Sequence, residues 1–233
     1  MSNGFVAYQG PSEIDGKPIK AVVTGTTTPS ANVKTGDMLQ LFIMPMASKP
    51  SDAIRNGDDA SVCGDCVHRP SVAKTNGKAA CYVEVGKSVN AVYKAQYPLH
   101  AEAKRKPPIR LGAWGEPTAM PFETVARLTT DGHTGYTHQW RTCDPRFKQY
   151  LMASVDSAAE YAQATAIGWR TFRVRKHDAP TLENESVCPA SKEGGQRVQC
   201  DSCGLCKGAT IAARNIVIAD HGLMDSRRRA VAG

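Results

Sequence analysis

No apolar run in the 233-residue chain approaches the ~20 residues that a membrane-spanning helix requires. Met1 to Gly10 carries no basic region followed by an apolar core, so no secretory leader is read there. The expected compartment is therefore cytoplasmic and reducing, where disulfides are rare. A nucleotide-binding phosphate loop is also missing. Ala31–Asp37 (ANVKTGD) looks superficially like one but lacks the leading glycine and the spacing of G-x-x-x-x-G-K-[ST]. A polar turn feeding a strand is expected instead. Hydrophobic content of 41% and charged content of 22% are those of an ordinary water-soluble domain with a real core.

What the chain does have is cysteine, eight residues of it. In a reducing compartment that number points to metal binding more than to stapling. Four fall in Cys188-Pro189 and Cys200-Asp201-Ser202-Cys203-Gly204-Leu205-Cys206, spaced C-x11-C-x2-C-x2-C. Three thiolates in a C-x2-C-x2-C run crowd a single ion but suit the separate corners of a cubane. Bacterial ferredoxins use the same run, completed by a remote cysteine that precedes proline. Cys188 has that character, with the order in the chain reversed. A [4Fe–4S] cluster is expected here, with a structural zinc site as its competitor. A second group is Cys63, Cys66 and Cys81, spaced C-x2-C-x14-C. Its fourth ligand stays open between His68, Cys143 and a position left free for substrate or cofactor, so one cluster or two can be present.

The pattern along the chain reads as three parts. Residues 1–37, rich in Gly, Ser, Thr and Pro, are expected to form a loop or short hairpin packed on the main domain. Residues 38–218 form an α/β metal-binding domain, and 219–233 a basic tail. Met38–Met46 reads as a strand covered on both faces, and Pro50–Asp59 as exposed turn. Further strands are expected near Ile109, Tyr136, Met152, Phe172 and Val187. Helices are expected over Phe122–Thr130, from the S-x-x-E capping box at Ser157 to Ile167, and over Gly208–Asn215. Alternating short strands and helices argue for an α/β fold with a partial or complete (β/α) barrel, its cysteine-rich loops at the strand C-terminal ends. Cys63, Glu116, His138, Asp156 and Cys188 would all follow strands, which predicts one site at one mouth.

The strand, the loop containing Cys81-Tyr82 and the segment Leu111-Gly112-Ala113-Trp114-Gly115-Glu116-Pro117 resemble the opening of a radical S-adenosylmethionine enzyme. The chain has C-x2-C-x14-C in place of that superfamily's compact C-x3-C-x2-C. The resemblance implies that Cys63, Cys66 and Cys81 hold a cluster and that Gly115 and Glu116 contact S-adenosylmethionine. The whole chain also resembles an uncharacterised family of cysteine-rich bacteriophage proteins, through Cys63-Gly64-Asp65-Cys66, Thr134–Arg141 (TGYTHQWR), Met152–Ser157 (MASVDS) and Cys188-Pro189-Ala190-Ser191. That likeness implies the cytoplasm of an infected host.

Outside the cysteines, His138 and Glu116 are the catalytic candidates, as an acid–base group or a neighbour that tunes a cluster. Asp156 reads as the start of a capping turn. Arg170, Arg173 and Arg175 offer at most a phosphate contact. The leading function is an iron–sulfur enzyme of redox or radical type. The alternative is a metal-stabilised nucleic-acid-binding phage protein, favoured by the net charge of +7, Lys104-Arg105-Lys106 and Arg227-Arg228-Arg229.

Overall fold

Leu39–Pro45 (LQLFIMP), β3, is buried at every position, as its almost unbroken apolar run requires. The computed structural model describes residues 2–72, 81, 83–100, 103 and 105–220. Tyr82, Lys104 and the basic triplet Arg227–Arg229 lie outside the described residues. On one side of β3 stand β1 (Gly4–Pro11) and β2 (Pro18–Thr24), an antiparallel hairpin that extends the sheet. Of the loop or short hairpin expected for this segment, the hairpin is what forms, joined edge-on to the main sheet. Ile19, Ala21, Val22 and Val23 are almost fully buried, and such a β-branched run is too apolar to remain a loop.

On the other side, β4 (Ile109–Trp114) runs parallel to β3, and β5 (His133–Thr134) parallel to β4. Gly135 interrupts the strand, and β6 (Tyr136–Thr137) begins a second sheet. That sheet contains β7 (Met152–Val155), β8 (Thr171–Arg175), β9 (Glu185–Val187) and β10 (Asn215–Ala219), in the order β6-β7-β8-β10-β9 with every pair parallel. The architecture is mixed α/β with two sheets rich in parallel pairing.

Helices fill the connections: α1 (Pro50–Asn56), α2 (Ala60–Cys63), α3 (Asn90–Lys94), α4 (Phe122–Leu128), α5 (Ala158–Ala166) and α6 (Cys200–Cys203). The stretch expected to be exposed turn is thus α1. Pro50 occupies its first turn, where a missing N–H costs nothing, and Gly57 ends it at φ 90°. The capping box at Ser157 forms as expected: Glu160 N–H donates to Ser157 Oγ at 3.1 Å, and Asp156 N–H to Glu160 Oε2 at 2.7 Å. The helix expected over Gly208–Asn215 is only a 3₁₀ turn, Gly208–Thr210. Arg170 takes the carbonyls of Leu205, Gly208, Ala213 and Arg214, so the Gly208 carbonyl that would open a helical ladder is engaged elsewhere.

The main core is built on Leu41, Ile43, Met44, Ile109, Leu111 and Leu151. A separate, smaller one consists of Met152, Ala190, Ile216 and the cysteines Cys188 and Cys206. No helix among the described residues is long and apolar enough to cross a membrane.

Candidate metal centres

The working groups do leave the strand ends, but they divide between two places rather than sharing one mouth. The first is organised by the turn after α2. Gly64 takes φ 55°, and a Cβ there would stand 2.3 Å from Gln139 Nε2, so only glycine fits between Cys63 and its neighbours. Cys66 N–H closes the turn on the Cys63 carbonyl at 3.1 Å, and Cys81 N–H returns to the His68 carbonyl at 2.8 Å. That second bond carries Cys81 back to the Cys66–His68 loop despite the long spacer. Arg69, to which the sequence reading gave no role, pins the turn. Its guanidinium forks onto Asp59 at 2.7 and 3.1 Å and also donates to the carbonyls of Gly64 and Gly57.

His138, just beyond β6, faces this turn. Its Nε2 is 3.7 Å from Cys66 Sγ, and its Nδ1 is 3.0 Å from Glu116 Oε1, which also accepts from the His138 backbone N–H. Burial alone would lower the His138 pKa. Cys66 and the Glu116 carboxylate outweigh that and hold the imidazole well above its ordinary value. Burial, reinforced by Cys66 and Asp59, raises the Cys63 thiol well above its usual range, and burial raises Cys81 as well. Such thiols stay protonated until a metal draws the proton off.

His68, a candidate fourth ligand, stands here too, with Nε2 2.9 Å from Asp156 Oδ1 just past β7. Asp156 therefore does more than open the cap of α5: its backbone serves the cap while its carboxylate meets His68. The sequence reading missed this pairing, because the two residues are 88 apart. The available signal was that Asp156 follows its strand as Glu116 follows β4. Among the described residues, His68, His138 and Asp156 are the one trio of His, Cys, Asp or Glu donors gathered within 4.8 Å of one another. Cys143, the other candidate fourth ligand, lines a separate cleft of about 490 Å³ with Glu13, Met120, Phe122 and Arg146. Burial pushes its thiol up to about 12.

Gly115 and Glu116, the positions the resemblance assigned to cofactor binding, have internal work. A Cβ on Gly115 (φ 86°) would stand 2.6 Å from the Ile43 carbonyl oxygen, so this glycine lets β4 turn against β3. Glu116 is only 6% exposed, and of its two oxygens Oε1 is held by His138 while Oε2 has no hydrogen-bond partner among the described residues.

The second place lies at the end of β9. Cys188 N–H pairs with the Val217 carbonyl at 2.9 Å, and Ser191 closes a tight turn back onto the Cys188 carbonyl. A Cβ on Gly194 would lie 2.1 Å from that carbonyl oxygen, so the turn requires glycine. Cys200 and Cys203 are the two ends of α6, which stops at Gly204 in the left-handed region, φ 60°. Asp201 accepts from Asp37 N–H at 2.8 Å, and Gln199 donates to the Val33 carbonyl at 2.9 Å. The loop that looked like a phosphate cradle is thus the seat of the cysteine turn. Cys206 follows, its carbonyl accepting from Gly135 N–H at 3.1 Å.

All four thiols line one recess, walled by Tyr136 and Ile216. No three of their sulfurs lie within 4.8 Å of one another. Burial, with Cys188, Cys200 and Cys203 adding to it, pushes Cys206 up to about 12 although the Tyr136 hydroxyl bonds it. Burial also raises Cys200. Arg110, on β4, is close enough to weigh electrostatically on both Cys81 and Cys200, so the two places are neighbours.

The arginines read as phosphate contacts are internal instead. Arg173 forks onto Glu185 at 2.7 Å twice. Arg175 bonds Glu193 and the Lys176 and His177 carbonyls, and Arg105 bonds Asp37 and the Gly25 carbonyl. No family model, curated protein or solved structure matches the chain. These side chains alone carry the functional reading.

Proposed function

We propose that this chain is an iron–sulfur protein with a [4Fe–4S] cluster on Cys188, Cys200, Cys203 and Cys206. A separate metal centre, the first described above at the Cys63–Cys66–Cys81 group, would carry redox or radical-type chemistry beside His138 and Glu116. One observation supports the cluster most: four thiols from a strand end, a helical turn and a position three residues beyond it line one apolar-walled recess. A tetrahedral zinc with bonds of about 2.3 Å needs sulfur–sulfur edges of roughly 3.8 Å, whereas a cubane spaces its ligands wider.

A cubane supplies one-electron transfer. The chain's own part is to exclude water around it with Tyr136, Ile216 and Met152, and to set the Arg110 charge within electrostatic reach of both cysteine groups. At the first centre the Glu116–His138 pair holds a proton at Nδ1 and can pass it on. An S-adenosylmethionine ammonium would meet only Glu116 Oε2, since Oε1 is engaged, so these contacts favour the redox form of the reading. In the same reading the two sheets are parts of a partial (β/α) barrel whose strand ends carry both centres. The nucleic-acid reading has less support, because Arg105, Arg170, Arg173 and Arg175 all serve internal acceptors.

The test is anaerobic purification with iron, sulfide and zinc analysis of the wild type and of Cys203→Ala. The expected wild type holds about four iron and four sulfide at this group and absorbs broadly near ~400 nm, and the variant loses both. One zinc per group without sulfide, or unchanged iron in the variant, refutes the cluster.

A further inference from the structure

The first centre contains donors that no cysteine pattern announces. His68 Nε2 and Asp156 Oδ1 are 2.9 Å apart, and His138 completes a set whose ligand atoms all lie within 4.8 Å. A first-row ion bound at about 2.0–2.2 Å places neighbouring donors roughly 3–3.5 Å apart. The trio therefore needs to contract by about an ångström to close on one ion. The three side chains come from three different strand ends or loops, and Asp156 and His68 are 8% and 18% exposed.

The His138 ring is prepared for such a role. Glu116 Oε1 takes both the His138 backbone N–H and ring Nδ1 at 3.0 Å, so Nε2 is the ring nitrogen left to bind an ion, which displaces its proton. A buried carboxylate behind a histidine is the outer support that metal-bound imidazoles recurrently carry. Cys66 Sγ, 3.7 Å from that Nε2, supplies a neighbouring thiol as a further donor. Two imidazoles with a carboxylate and a thiol suit ferrous iron or zinc, and disfavour calcium and magnesium, which take oxygen.

We propose that His68, His138 and Asp156 bind one divalent ion of the ferrous or zinc class, and that this ion is the metal of the first centre. The proposal rests on reading this group as a metal centre. It replaces a three-thiol cluster with a single ion that keeps positions open to substrate. None of Cys63, Cys66 and Cys81 gathers with the whole trio within 4.8 Å; Cys66 Sγ reaches 3.7 Å from His138 Nε2, and Cys63 and Cys81 are neighbours of the ion rather than ligands. Glu116 is a positioning residue.

The experiment measures uptake of cobalt(II), which occupies such N/S/O sites and reports them by visible absorption, by the full-length chain freed of adventitious metal. Wild type and variants are compared, with circular dichroism and melting of the metal-free forms checking that each folds. The proposal expects His68→Ala and the isosteric Asp156→Asn each to lose one equivalent. It expects Glu116→Gln to bind about 10–100-fold more weakly, Cys63→Ser and Cys81→Ser to retain the equivalent, and exposed His177→Ala to change nothing. Uptake unchanged in folded Asp156→Asn but lost in Cys63→Ser and Cys81→Ser overturns the proposal and preserves a metal centre on the thiols. Uptake unchanged in all of these variants overturns both. Absence of sulfide from the wild type, with the equivalent still lost in Asp156→Asn, removes the C-terminal cluster and leaves the proposal standing.

Discussion

Replacing Glu185 by alanine should unseat the strand that delivers Cys188. Glu185 is 0% and Arg173 5% exposed, and their fork uses both carboxylate oxygens at 2.7 Å. Glu185 Oε2 also accepts from Leu182 N–H at 2.7 Å. In Glu185→Ala, Arg173 would keep only the Pro180 carbonyl at 3.0 Å, and a buried guanidinium would be left without its counter-charge. Breaking a buried pair from one side costs about 3–5 kcal/mol. For a chain of this size each kcal/mol lowers Tm by roughly 2–4 °C, so the loss should be on the order of 10 °C. The pair joins β8 to β9 across β10, so the slack appears at Cys188, and iron bound to the C-terminal group should fall with it. The assay is anaerobic thermal and urea denaturation of Glu185→Ala, Arg173→Met and the Arg173→Met/Glu185→Leu double variant, with iron counted in each. Apolar replacement of both partners should recover most of the loss, because the desolvation penalty goes with the charges. A single variant that costs less than about 1 kcal/mol, or a double variant no better than the single, refutes the reasoning.

Acid should weaken the fold through His133. Its ring is buried, its edge meets Tyr150 at 5.6 Å between centroids, and burial pushes its pKa down to about 4. The unfolded chain takes up this proton near 6.5 and the folded chain only near 4. The contribution is thus intact above pH 6.5 and is lost progressively between 6.5 and 4, to about 3 kcal/mol; His133→Phe should remove that part of the Tm slope, and an unchanged slope would refute the assignment. Arg170→Met should leave four carbonyls around the Cys206 loop without their donor, cost about 2–4 kcal/mol and release iron from the C-terminal group before the main core melts. Simultaneous loss of iron and core structure would show that the loop has no independent weak point.

Several features were legible because they depend on neighbours close in sequence. The β3 run, the Ser157 capping box, Gly204 after Cys203 and the turn from Cys63 to Cys66 follow from periodicity and turn chemistry within a few residues. The position of Glu116, His138, Asp156 and Cys188 just beyond strand ends was legible for the same reason. Which of them meet was not, because that depends on strand order, and β10 inserting between β8 and β9 leaves no local trace. The same holds for the partners of Arg170 and Arg173, whose acceptors lie up to 44 residues away. A basic strand face on paper becomes internal scaffolding once Glu185 and the cysteine loop are brought against it. For the N-terminal segment the composition left a loop and a short hairpin open. Its Gly, Thr and Pro content speaks for turns, but Ile19–Val23 has an open edge of β3 to pair with, and burial there overrides local composition.

The division into two centres traces to one residue. His133–Thr137 would be a single strand but for Gly135, where a Cβ would stand 2.5 Å from Leu151 Cδ2 and 3.1 Å from Leu111 Cβ. The close approach lets the chain leave β4 and join β7, with Gly135 donating to the Cys206 carbonyl and accepting from Met152 N–H at 3.0 Å. On the near side of that junction His133 packs against Tyr150. On the far side Tyr136 turns its hydroxyl to Cys206, and two residues later His138 turns its imidazole to Cys66. A strand side-chain period of two puts positions 136 and 138 on the same side, so one short segment touches a thiol of each group. Whatever fixes the backbone at Gly135 therefore fixes the separation of the two centres.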